Sequence, residues 1–153
     1  FYPAKANLAL AYNARGDNAL AERLLREVVE AEPGLYEMAY SLGLLLVEMG
    51  KPDQALGYLA QASDGMPHRA RIHYNLGLLY QQHQDLVRAE QKLAQALRLD
   101  PENLEFQYAL ADHYIKRRLF EQAIPIVQTM IATHPNEQIG PRMLQFIQSQ
   151  MDP

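Results

Sequence analysis

The sequence predicts an all-α fold in which pairs of antiparallel helices repeat along the chain. The first observation is the even spacing of four prolines, Pro33, Pro67, Pro101 and Pro135, whose constant interval we call the period. A period of about 34 residues is typical of repeats that each contain two helices. The second observation is that apolar residues between the prolines recur at i, i+3, i+4 and i+7, the spacing of one helix face.

Several positions carry the same kind of residue in every unit of this period. In each unit a leucine is followed directly by a small residue, and a large apolar residue stands three positions after that small residue. Further along the unit comes an alanine, and four positions after the alanine comes another apolar residue. These columns are Leu8-Ala9, Leu42-Gly43, Leu76-Gly77 and Leu110-Ala111; Tyr12, Leu46, Tyr80 and Tyr114; Ala21, Ala55, Ala89 and Ala123; and Leu25, Leu59, Leu93 and Val127. They predict four units, residues 2–35, 36–69, 70–103 and 104–137, in which the small residues let two helices approach closely.

A turn divides each unit into two helices. Gly16 and Gly50 suit the position that follows a helix end, because glycine adopts the left-handed conformation without steric cost. Gln84 and Arg118 stand at this position in the third and fourth units. Pro125 falls within the second helix of the fourth unit and predicts either a bend or a late helix start there.

Residues 138–153 do not complete a fifth unit. They predict a helix with one apolar side, formed by Met143, Leu144, Ile147 and Met151. A helix with a polar outer face is typical of the closing element of a repeat array, so we expect a C-terminal capping helix. Phe1 and Tyr2 run directly into the first helix without such a cap. We therefore expect helical repeats or a partner domain upstream in a longer native chain, or self-association through this N-terminal edge.

Composition and charge argue against several classes of function. The chain carries 14 Lys and Arg against 18 Asp and Glu, a net charge of −4, and no basic stripe, so nucleic acid is not an expected partner. No run of about 18 apolar residues is present, so we expect no membrane insertion. The absence of cysteine excludes disulfides and thiolate metal ligands.

The sequence also lacks the patterns that catalysis or cofactor binding requires. Its five histidines do not show the i, i+4 pairing of a helical zinc site, and no glycines are spaced as in a phosphate-binding loop. His73 and His113 fall on predicted first helices, where a packed or helix-surface position accounts for them. We therefore expect no enzyme activity, no metal and no cofactor in this chain.

The first helix of the second unit is apolar almost all round, which leaves a second apolar stripe beside the one that packs within the unit. The stripe and its equivalents in the other units are Tyr40, Leu44 and Val47; Tyr74, Leu78 and Gln81; Tyr108, Asp112 and Ile115; and Ala6, Leu10 and Asn13. A neighbouring column holds Asn7, Ser41, Asn75 and Ala109. An asparagine amide both donates to and accepts from a peptide backbone, so these columns are candidates for partner binding.

Together the columns resemble the tetratricopeptide repeat family, and the resemblance extends over residues 2–137. It departs at the family's leading tryptophan, where Lys5, Ala39, His73 and Gln107 stand. The resemblance implies a right-handed superhelical solenoid of antiparallel helix pairs whose first helices line a concave groove. It also implies that the tyrosines at 40, 74 and 108 form a ladder along that groove.

Two interpretations of the ladder are open. In one, neighbouring first helices simply pack on each other through the tyrosines. In the other, which we favour because tyrosine joins a large contact area to a hydroxyl, the groove binds a peptide. The expected groove residues are Tyr40, Tyr74, Tyr108, Leu10, Leu44, Leu78, Asn75, Arg71 and Asn7. Ala6 and Leu10 stand where the family's carboxylate clamp requires Lys and Asn, so we expect no capture of free acidic C-termini.

The function predicted from the sequence is that of a non-catalytic protein–protein interaction scaffold with a protein or peptide partner. The alternative is a structural spacer or oligomerisation module of a larger bacterial protein, since arrays of this family accompany pilus-assembly proteins and multihaem cytochromes in the periplasm. The cytoplasm and the bacterial periplasm both suit such a chain. An enzymatic role requires a catalytic domain outside these residues.

Overall fold

The computed structural model describes residues 2–152, which form nine α-helices. The helices are α1 (Tyr2–Ala14), α2 (Asn18–Ala31), α3 (Tyr36–Glu48), α4 (Pro52–Gly65), α5 (Ala70–Gln82), α6 (Leu86–Leu99), α7 (Leu104–Lys116), α8 (Phe120–Thr133) and α9 (Ile139–Met151). Phe1, which was predicted to form part of the N-terminal edge, lies outside the described residues. Within residues 2–152 no helix combines the length and the apolar character needed to cross a lipid bilayer.

The helices pack as consecutive pairs, α1 on α2, α3 on α4, α5 on α6 and α7 on α8. Each second helix also packs on the first helix of the next pair, and α8 packs on α9 in the same way. The first helices begin at Tyr2, Tyr36, Ala70 and Leu104, which preserves the period of the prolines. The predicted all-α architecture of repeated helix pairs is therefore confirmed.

Small side chains allow the two helices of a pair to touch. A Cβ atom added to Gly43 would lie 2.6 Å from Cδ2 of Leu59, and one added to Gly77 would lie 2.7 Å from Cδ2 of Leu93. These distances are far shorter than a van der Waals contact, so α3 meets α4, and α5 meets α6, where no side chain intervenes. The leucines that cover the two glycines are themselves buried in the apolar core.

The four turns inside the pairs share one backbone conformation. Its φ is +81° at Gly16, +74° at Gly50, +61° at Gln84 and +57° at Arg118. The left-handed region favours glycine, because a Cβ atom crowds the following carbonyl oxygen there. The turn is therefore kept in the third and fourth pairs although the residue type that suits it best is absent.

Pro125 lies inside α8, which begins at Phe120 in phase with the other second helices. Of the two consequences predicted for Pro125, the late helix start is therefore wrong. The hydroxyl of Thr129, one turn further on, donates to the carbonyl oxygen of Pro125 at 3.0 Å. Pro125 itself is exposed, so its ring takes no space in the core beneath α8.

Two buried polar side chains bind the loops that carry the period prolines. Nε2 of His73 donates to the carbonyl oxygen of Pro67 at 2.7 Å, and Nε2 of Gln107 donates to that of Pro101 at 3.0 Å. Burial lowers the pKa of His73, and burial together with nearby Arg117 lowers the pKa of His113. Both histidines are buried, as expected for packed positions.

Candidate interaction surface

The three tyrosines of the predicted ladder occupy equivalent turns of α3, α5 and α7, but their exposure differs widely. Tyr40 is only 8% exposed, Tyr74 is half-buried and Tyr108 is 41% exposed. The Tyr40 ring lies beneath the guanidinium group of Arg69, at 5.0 Å, and its hydroxyl accepts a hydrogen bond from Nδ2 of Asn75 at 3.0 Å. Tyr40 therefore presents little of its ring at the surface, whereas Tyr108 presents much of it.

Arg71 lies at the junction of α5 and α7, where it forms a salt bridge and packs against two aromatic rings. Its Nη1 and Nη2 atoms donate to the two carboxylate oxygens of Glu105 at 3.0 and 3.2 Å. Its guanidinium also lies 5.2 Å from the ring of Tyr74 and 5.0 Å from the ring of Phe106. The hydrogen bond from Arg71 lowers the pKa of Glu105 and keeps this carboxylate charged.

The asparagine column is divided between internal and exposed positions. Asn75 uses its amide NH₂ on Tyr40 and keeps its carbonyl oxygen for a further donor. Ser41 turns its hydroxyl back onto its own helix, where it donates to the carbonyl oxygen of Glu37 at 2.9 Å. Asn7 is exposed on α1.

Three exposed leucines form one apolar row across α1, α3 and α5, the first helices of the first three pairs. Leu10, Leu44 and Leu78 occupy equivalent positions on α1, α3 and α5, and each is exposed by nearly two fifths. Leu44 and Leu78 also line a hollow of about 140 Å³, the α3–α5 hollow, together with Val47, Asn75, Leu79 and Gln82. An apolar row that crosses three helices at the surface has no role in the core, which makes it a candidate contact surface.

The row changes character on α7. Asp112 takes the position of the leucines there and pairs with Lys116, whose Nζ lies 2.6 Å from Oδ2. The hydrogen bond to Asp112 raises the pKa of Lys116 and keeps its ammonium group charged. The apolar surface therefore ends between α5 and α7, where Tyr108 and the Arg71–Glu105 pair provide polar contacts.

The sequence pattern did not predict two residues of this surface. Arg69 covers Tyr40, and Glu105 pairs with Arg71. The second contact left a signal in the sequence, because Arg71 and Glu105 are one period apart and so occupy the same position in neighbouring units. Arg69 lies in a loop, where the helical spacing predicts no contact. Among residues 2–152, no group of three or more His, Cys, Asp or Glu side chains is placed to hold a metal ion.

The fold defines an α-helical repeat protein in which helix pairs stack side by side. Two family models described as tetratricopeptide repeat match residues 40–103 and 81–143, and together they span more than half of the chain. The chain belongs to the tetratricopeptide repeat family. This membership supports a protein–protein interaction scaffold in general terms, and such scaffolds are typically non-catalytic.

Known proteins and structures agree with this assignment. Cellulose synthase operon protein C of Pseudomonas fluorescens (strain SBW25) is 29% identical to the chain over 142 residues, which cover 86% of this chain and 11% of that protein. The chain thus spans about a tenth of that relative's length. A crystal structure of MamA is 20% identical with a TM-score of 0.88, and the match covers 95% of this chain and 80% of MamA.

A tetratricopeptide repeat protein from Parabacteroides merdae ATCC 43184 also has a TM-score of 0.88, at 21% identity, over 99% of this chain and 61% of that one. At such identities the likeness to these structures shows the fold alone. It confirms the predicted solenoid of helix pairs.

Proposed function

We propose that the chain is a non-catalytic scaffold that holds a peptide or protein segment in a concave groove lined by its first helices. The exposed row of Leu10, Leu44 and Leu78 carries this proposal. These leucines recur in phase on three helices although the core does not need them, so a partner that buries them gains apolar contact area. The α3–α5 hollow gives one partner side chain a defined place to enter.

The polar groups around the row would then fix the orientation of the partner. Asn75 lines the hollow with its carbonyl oxygen free to accept a backbone N–H of a bound peptide. Tyr108 offers an exposed ring and hydroxyl. Arg71 contributes only where a partner carboxylate competes with Glu105, and Tyr40 acts mainly by holding Asn75 in place.

The test compares two truncations of exposed apolar side chains. Peptides selected from a random library on the wild-type chain serve as probes. Leu78→Ala should weaken their binding about tenfold or more, in the range of a hot-spot residue. Val87→Ala, which removes a more exposed side chain on α6 at 66% exposure, should leave binding unchanged. Equal affinity of all the selected peptides for Leu78→Ala and the wild type would refute the groove.

A specific observation also favours the second candidate function, a spacer in a larger protein. Leu8 is 47% exposed, whereas Leu42, Leu76 and Leu110 at the equivalent positions are buried. In those units the leucine belongs to a first helix that packs on the preceding second helix. The match to a short stretch of a much longer relative supports the same proposal. If two chains pair through the exposed face of α1, analytical sedimentation should show self-association of the wild type, and Leu8→Glu should abolish it. A chain that stays monomeric at all concentrations would exclude pairing through α1.

We also propose that residues 2–35, 36–69, 70–103 and 104–137 are the four repeat units and that residues 138–153 close the array. Leu144 of α9 lies one period after Leu110 and so continues the leucine column. The next position, which is Ala or Gly in the four units, is Gln145. A long polar side chain there prevents a tenth helix from approaching as closely as α4 approaches α3, so α9 ends the stack.

A further inference from the structure

A second pocket lies between the first turn of α1 and the start of α3, separate from the α3–α5 hollow. We call it the α1–α3 pocket. Its volume is about 400 Å³, and its lining includes Pro3, Ala6, Leu35, Tyr36, Met38 and Met66. Pockets of this size hold a small ligand or a single large side chain.

The pocket exists because α1 departs from the column that the other first helices share. Ala6 occupies the position of Tyr40, Tyr74 and Tyr108. Beside Tyr40, the guanidinium of Arg69 covers the aromatic ring at 5.0 Å. The residue equivalent to Arg69 in the first unit is Leu35, which lines the pocket beside Ala6. The space that a ring and its cover fill in the second unit is therefore open in the first.

We propose that the α1–α3 pocket binds one uncharged aromatic side chain, a phenylalanine or tyrosine of a partner polypeptide. This side chain would take the place of the ring that is missing at position 6. The proposal names the partner chemistry for one end of the groove proposed above, so it extends that function. It depends on the α1–α3 pocket and its lining residues, whereas the groove proposal depends on the leucine row and the α3–α5 hollow.

The chemistry of the lining selects this occupant. Met38 and Met66 supply two polarisable thioethers, which pack favourably against aromatic rings. The charged residue of the lining is Glu37, and its carboxylate is already paired with the guanidinium of Arg69. A cationic side chain would have to compete with Arg69 for this carboxylate, and an anionic one would be repelled by it. A neutral ring meets neither penalty and buries the most apolar area.

The experiment follows the methionine methyl groups by NMR in the chain labelled at methionine. The probes are N-acetyl-phenylalaninamide, N-acetyl-leucinamide and N-acetyl-lysinamide. We expect the phenylalanine amide to shift the methyl resonances of Met38 and Met66 with a dissociation constant in the millimolar range, and the other two amides to bind at least several times more weakly.

Two tyrosine substitutions on α1 form a matched pair. Ala6→Tyr should fill the pocket with the chain's own ring and weaken binding of the phenylalanine amide at least tenfold. The variant should fold, because three other first helices carry tyrosine at this position. Ala11→Tyr adds the same ring at an exposed position outside the lining and should leave binding unchanged. If Ala6→Tyr does not fold, Met66→Gln provides the second test. It removes one thioether from the lining and should weaken binding of the phenylalanine amide, as followed by the methyl resonance of Met38.

Several results would overturn the proposal. Undiminished binding to Ala6→Tyr, or equal affinity for the leucine amide, would exclude an aromatic site in this pocket. Shifts confined to the methyl groups of Leu44 and Leu78, seen in a leucine-labelled sample, would reject the pocket and leave the groove intact. Methionine shifts that depend on protein concentration without added amide would identify a second copy of the chain as the occupant. Loss of binding in Ala6→Tyr but not in Leu78→Ala would support the pocket even if the groove proposal failed.

Discussion

Replacement of Gln84 by glycine should stabilise the protein, because Gln84 holds a backbone conformation that disfavours side chains. Its φ of +61° is close to the +74° of Gly50 at the equivalent turn. The left-handed conformation costs a residue with a Cβ atom about 1–2 kcal/mol. Glycine avoids this cost but loses about 0.5–1 kcal/mol more backbone entropy on folding. The difference is a gain in the free energy of unfolding of about 0.5–1 kcal/mol.

The structure indicates that this gain is not offset by lost contacts. The backbone N–H of Gln84 donates to the carbonyl oxygen of Gln81 at 3.0 Å, and glycine retains this hydrogen bond. The Gln84 side chain is exposed. For a chain of this length, the gain corresponds to a rise in Tm of about 1–4 °C. Scanning calorimetry measures this rise, and urea unfolding gives the free energy independently.

Two control variants separate the backbone effect from a general effect of glycine. Gln91→Gly, at an exposed position in the middle of α6, should destabilise the protein by about 1 kcal/mol, because glycine weakens a helix interior. Gly50→Gln should lower stability by about as much as Gln84→Gly raises it. A fall in Tm for Gln84→Gly, or no change for Gly50→Gln, would refute the reasoning. Arg118→Gly should gain less, since Arg118 also donates to Oε1 of Gln150 at 3.1 Å.

Two further predictions concern the buried contacts. The pKa of His73 is lowered by burial, so the unfolded chain binds the proton more readily, and stability is lost as pH falls below about 6.5. His73→Gln, which copies the donor that Gln107 provides in the next unit, should reduce the loss of stability between pH 7 and pH 5 in urea unfolding; an unchanged loss would exclude His73 as its source. Gly77→Ala should destabilise by about 1–3 kcal/mol through overpacking, whereas Gly57→Ala, where the added Cβ meets nothing within 4 Å, should be neutral or stabilising. Equal unfolding free energies for the two alanine variants would contradict the close helix contact.

The sequence predicted the helix pairs because their physical requirements repeat with the period. A glycine or alanine must stand wherever two helices touch, and Gly43 and Gly77 show how little space remains there. Each turn has one residue at positive φ, and glycine marks this position in the first two units. Both requirements act on the backbone, so they recur once in every unit and can be read without knowledge of any side-chain contact.

Exposure of the candidate groove residues could not be predicted in the same way. Tyr40 and Tyr108 share a column, but one is buried and the other exposed. The burial of Tyr40 depends on Asn75, which belongs to the next unit, and on Arg69, which lies in the loop that leads to that unit. The residue at the position of Asn75 one unit later is Ala109, which has no amide to bind a hydroxyl. A column predicts the face on which a side chain lies, while its exposure depends on neighbours that differ from unit to unit.

The same distinction separates residues that serve the fold from the residue behind the proposed α1–α3 pocket. Different side chains meet the same requirement of the fold: the carbonyl oxygens of three period prolines accept hydrogen bonds from His73, Gln107 and Gln61. His73 and Gln107 occupy the same column and are both buried, so this exchange does not change the surface. Ala6 is different, because it removes a ring and leaves a pocket that nothing in its own unit fills. If the α1–α3 pocket binds as proposed, we expect a departure that opens space at the surface, such as Ala6, to contribute more to partner selection than the repeated residues do.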